Sequence, residues 1–91
     1  MRFVWIGFLK EGAPAIPQAV QQQVSDFIGQ PFINVCNVGA LRNAAGDRAA
    51  MMMIFEADSR AAAEALVESS PYLRAGLYRE HHLFEFQDEV G

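Results

Sequence analysis

The chain has 91 residues, enough for one domain and too few for two. A domain of this size buries only ~60–65% of the surface its unfolded chain exposes, yet 52% of the residues are hydrophobic and 11% aromatic, so some apolar surface must face outward or face another chain. The net charge is −4 and the seven Lys and Arg are scattered, which excludes the basic stripe that nucleic-acid binding requires.

Residues 3–9 read as a strand with Phe3, Trp5, Gly7 and Leu9 on one face and Val4, Ile6 and Phe8 on the other. Both faces are apolar, as in a central strand covered on both sides. The run is too short to span a membrane and lacks a cleavage site after Lys10-Glu11. Lys10 to Pro14 breaks the strand. Residues 17–28 read as a helix: Pro17 suits the first turn, and Ile16, Val20, Val24, Phe27 and Ile28 mark one apolar stripe. Gly29 and Pro31 end it. Residues 32–38 form a second strand, interrupted by Asn34 and Asn37 as an edge strand is. The lone cysteine, Cys36, reads as a small buried hydrophobe in this run. With no partner for a disulfide it points to a reducing compartment, so the expected location is cytoplasmic.

A polar connection, Gly39 to Arg48, leads to a third strand over 49–57, again apolar on both faces. Asp58-Ser59 offers an N-cap for a helix over 60–68, with Ala62 and Leu66 on one face. Pro71 limits that helix. Residues 72–77 read as a short turn or irregular helix ending at Gly76, and 78–86 as a last strand.

The order strand, helix, strand, strand, helix, strand predicts an α+β, ferredoxin-like βαββαβ domain over residues 1–91. Its four-stranded antiparallel sheet carries two helices on one face. The first and third strands are central in that topology, and they are the two that read apolar on both faces. Two helices cover one face only, so the other predicts a two-fold homodimer joined sheet to sheet.

The segments Val38-Gly39-Ala40-Leu41, Ile54 to Arg60, and Ser70-Pro71-Tyr72-Leu73-Arg74-Ala75-Gly76-Leu77-Tyr78 resemble the YCII-related family over residues 38–86. The resemblance implies a dimeric α/β barrel with a small-molecule cleft. It also implies a His–Asp pair in that cleft, and relatives that include dehalogenating or isomerase-like enzymes of small ring compounds. This chain departs from the pattern at the chemistry. Ser70 stands where the family's acidic residue precedes Pro-Tyr, and the first helix carries Gln21, Gln22 and Gln23 in place of a histidine. Gly39-Ala40 replaces Gly-Pro.

The expectation is therefore a small-molecule-binding dimer without the family's acid–base pair. The alternative is a lyase or isomerase that recruits a histidine from the last strand. His81 and His82 are the only histidines, and adjacency in a strand sends them to opposite faces. Ser70 and Tyr72, placed at the cleft by the resemblance, and Trp5, suited to a bound ring, are the ligand-binding candidates. No clustered ligand set for zinc or another metal is present, and no cofactor is expected. Nucleic-acid and membrane partners are not expected.

Overall fold

The computed structural model describes residues 1–11, 18–29 and 34–89, with Ile28 and Tyr72 described by their backbone alone. The elements are β1 (Arg2–Leu9), α1 (Gln18–Ile28), β2 (Asn34–Arg42), β3 (Arg48–Glu56), α2 (Arg60–Ser69), α3 (Pro71–Arg74) and β4 (Tyr78–Phe86). All pairings are antiparallel, in the order β2-β3-β1-β4, so β1 and β3 are central as predicted. Ile16, Pro17, Pro31 and the start of the second strand at 32–33 lie outside the described residues.

Alternation along β1 divides the sheet. Phe3, Trp5 and Gly7 pair with Phe55, Met53 and Met51 across β3, and these side chains meet Val24 of α1 and Ala63 and Val67 of α2 in one core. Phe3, Trp5, Met53 and Phe55 are at most 1% exposed, and the Phe3 and Phe55 rings stack at 6.0 Å between centroids. The alternate residues Val4, Ile6 and Phe8 share the opposite face with Met52, Ile54, Phe84 and Phe86. No element among the described residues covers that face. Phe84 remains 54% and Phe86 44% exposed.

Two local expectations change. The predicted connection Gly39 to Arg48 is shorter: Gly39, Ala40 and Leu41 continue β2 by pairing with Met52, Met51 and Ala50. The turn itself is Asn43–Asp47, where Asn43 Oδ1 accepts from the Ala45 and Asp47 N–H groups. Gly46 takes φ +87°, a left-handed conformation that favours glycine. Cys36 is exposed, not buried. Val35 pairs with Phe55 and Asn37 with Ile54, so Cys36 is the extra residue at an irregularity of the edge strand. In α2 the core-facing residues are Ala63 and Val67, with Ala62 exposed and Leu66 partly buried. Ala62 and Leu66 share one face, as expected, about 100° round from the core-facing one. Ser59 caps α2 as predicted, its Oγ accepting from the Ala62 N–H.

Candidate functional site

Two places on the helix side gather polar groups over an apolar floor. The first forms where β1 and β4 pair. Gly7 stands opposite His81, and the absence of a side chain there makes room for the Trp5 indole. A Cβ at position 7 would lie 2.6 and 2.8 Å from indole carbons and 2.8 Å from the Tyr78 ring. Tyr78 meets the indole edge to face at 5.3 Å. The indole Nε1–H donates to His81 Nδ1 at 3.2 Å. An indole nitrogen only donates, so Nδ1 is the acceptor and the neutral His81 ring carries its proton on Nε2. The bond thus fixes both the tautomer and the ring orientation. The His81 side lines a small basin of about 140 Å³ with Glu64, Val67, Glu68 and Leu83. Ser70 is not among the described residues lining that basin.

The second place lies between the helices. α1 and α2 scarcely touch each other, while α3 contacts both. The space left is a cleft of about 790 Å³. Phe27 of α1 forms one wall, and Ala62, Ala65, Leu66 and Ser69 of α2 the other. Those α2 positions recur at three, four and seven residues and so share one helix face. Asn34, Glu56, Ala57 and Asp58 lie at the end where β3 passes into α2, and Arg74 comes from α3. Sequence reasoning placed Ala62 and Leu66 on one face but gave that face no role. The visible signal was the small-residue spacing Ala62, Ala65, Ser69.

The candidate residues therefore separate. Ser70 is 3% exposed and ends α2, its N–H donating to the Val67 carbonyl. It sits between Ser69 and Arg74, which do line the cleft. The backbone of Tyr72 belongs to the same α3 segment, and its side chain lies outside the described residues. Trp5 faces the helices and is 1% exposed. His82 is on the uncovered sheet face. It stacks on Phe84 at 5.9 Å, meets Phe8 edge-on, and bonds Glu80 Oε2 through Nε2 at 2.9 Å. That bond, with Arg79 also paired to Glu80, holds the exposed Glu80 carboxyl below its ordinary value. Among the described residues no group of three His, Cys, Asp or Glu side chains is placed to hold a metal ion. No helix among them is long and apolar enough to cross a membrane.

Comparison with known proteins gives the fold a family. The 5-chloro-2-hydroxyhydroquinone dehydrochlorinase of Burkholderia phenoliruptrix AC1100, in complex with 2,5-dihydroxybenzoquinone, superposes with a TM-score of 0.68 at 17% identity, over 96% of this chain and 94% of that one. The protein Rv0793 of Mycobacterium tuberculosis gives 0.55 at 13% identity, over 99% and 97%. A candidate antibiotic biosynthesis monooxygenase of Chloroflexus aurantiacus J-10-fl gives 0.52 at 15%, over 100% and 98%. At these identities the likeness is one of fold. No curated protein sequence matches the chain. The YCII-related domain matches residues 9–87, which takes in α1, α2, α3, His81 and every strand but most of the first, and the chain belongs to the YCII-related family.

Proposed function

We propose that this protein is a cytoplasmic homodimer that binds a small organic molecule on the helix side of its sheet, without the His–Asp pair that the family resemblance implies. The inter-helix cleft carries this reading. Its volume of about 790 Å³ falls in the range of sites that enclose ligands of drug size, and it mixes an apolar floor with a few polar groups. Ser70 and Tyr72 stand in the segment that bounds it and, with Trp5, are our candidates for shaping or touching the ligand. A serine at position 70 does not orient an imidazole as a carboxylate does, and an amide at Gln21, Gln22 or Gln23 does not exchange protons at useful rates. The 2,5-dihydroxybenzoquinone held by the similar Burkholderia structure makes small oxygenated rings the first compounds to try.

A second reading rests on a different observation. The Trp5–His81 bond leaves His81 as an oriented Nε2–H donor on the helix side. A last-strand histidine held in that way donates a hydrogen bond from Nε2 to a ring oxygen, and it serves as the base of a lyase or isomerase reaction once the Trp5 bond opens and frees a ring nitrogen. His82 is the weaker candidate, because a sheet-to-sheet dimer would cover it.

Titration of the isotope-labelled protein with 2,5-dihydroxybenzoquinone and related hydroxyquinones, followed by amide chemical shifts, tests both readings. Binding in the cleft should shift Ala62, Ala65, Ser69 and Arg74. Shifts confined to the uncovered sheet face would defeat the first reading, and none across the series would remove oxygenated rings as its ligands. Turnover with wild-type protein that falls on the order of a hundredfold in His81→Gln would establish the second. Turnover unchanged by that substitution would remove it.

A further inference from the structure

We infer that the inter-helix cleft selects an elongated ligand with a protonated amine at one end, a carboxylate at the other and an apolar chain between. The inference rests on the cleft being the ligand site and adds the class of ligand. The opposite charges in its lining are set apart along α2. Asp58 precedes the first turn of that helix, whereas Arg74 follows its last turn across Ser70. From Ala62 to Ser69 the α2 wall rises by about 10 Å.

Both charged groups are available. Among the described residues neither Asp58 nor Arg74 takes part in an ion pair. Glu56, the other carboxylate at the Asp58 end, is already met by Arg2 at 3.6 Å, and Arg2 also reaches Asp88 at 3.7 Å. Asp58 is thus the carboxylate left for a cation at that end, with the Asn34 side group beside it. At the far end the Arg74 guanidinium presents a planar fork suited to a carboxylate, and Ser69 lines the same end. Between them Phe27 and Leu66 offer apolar contact, and Ala62 and Ala65 leave the width for a chain of methylenes. A molecule with one charge would satisfy one end and leave the other facing its apolar part.

Calorimetric titration of the full chain with 8-aminooctanoate, octanoate and octylamine tests the assignment. The zwitterion should bind about two- to fivefold more tightly than either singly charged probe, the advantage expected of one partly exposed charge pair. Arg74→Gln should erase its advantage over octylamine, and Asp58→Asn its advantage over octanoate. Ala65→Phe, at an exposed helix position, should weaken all three by filling the cleft, with Ala62→Gln as a second obstruction if the first does not fold. Equal binding of the three probes, all weakened by the obstruction, would overturn the ligand class and leave the cleft standing. Probe binding that neither obstruction alters, or no probe binding at all, would overturn the class together with its location. Hydroxyquinone shifts at Ala62, Ala65, Ser69 and Arg74 would still uphold the cleft in that event.

Discussion

Trp5 and Ile6 are neighbours in one strand, and both are apolar, yet they lie in different worlds. Trp5 points to the helices and is 1% exposed, packed by Tyr78 and held through its indole N–H by His81. Ile6 points to the face that carries Met52, Ile54, Phe84 and Phe86, where no described element lies above it. The same contrast runs along β3, with Met51 and Met53 buried and Met52 half-buried between them. The helix face is finished within the chain. The other face has the composition of a core and the exposure of a surface, which is the condition that a second copy would relieve.

Substitutions matched across the two faces sharpen that difference. The largest loss is expected at Phe55→Ala, which removes a fully buried ring from the helix-side core and should cost about 3–5 kcal/mol in urea unfolding. Phe86→Ala, 44% exposed on the other face, should change the stability of the isolated chain far less. Gly7→Ala comes next. Its Cβ would meet the Trp5 and Tyr78 rings below 3 Å, so about 1–3 kcal/mol should be lost as the rings shift. Weakening of the Trp5–His81 bond should appear as a change in the fluorescence of the single tryptophan. Ser59→Ala removes the α2 cap and should cost about 1 kcal/mol by the same unfolding measurement.

The smallest effect is expected from Glu80. Its pKa in the folded chain is lowered, first by the hydrogen bond from His82, so its contribution to stability is present above its ordinary value of 4.5 and is lost as pH falls through the lower folded value. The group is fully exposed, so solvent screens the effect. Glu80→Gln should be only slightly less stable than wild type at neutral pH, and the gap should close as pH falls through the lowered folded value. A difference that persists below that value would mean that Glu80 does more than pair with its neighbours.

Much of this fold was legible in the residues. Two-sided apolar strands identified β1 and β3 as central, and Tyr78–Phe86 has the predicted bounds. What escaped depended on contacts that no local pattern records. Gly39 to Leu41 read as a connection because glycine and alanine carry little strand preference, but pairing with β3 holds them in the ladder. Cys36 read as buried because its neighbours are apolar, and the irregularity that turns it outward is a property of two strands together. The core-facing side of α2 was not identified because alanines at 61–63 and 65 give a weak stripe, and only Val67 against the sheet fixes the rotation. The cleft escaped for the same reason, since its wall is the Ala62–Leu66 face beside the buried one. The opposite orientations of His81 and His82 were legible from strand alternation alone, whereas the Trp5 partner of His81 required the register between β1 and β4.

The difference between the two faces is tested most directly by light scattering on the wild-type protein and on Ile6→Asp, at micromolar concentration and neutral pH. The account predicts about twice the 10.1 kDa chain mass for the wild type. It predicts a single-chain mass for the variant, with its helix and strand content retained in circular dichroism, because the charge falls on the uncovered face and leaves the helix-side core intact. A wild-type protein of one-chain mass at that concentration, or an Ile6→Asp variant that remains a dimer, would contradict it.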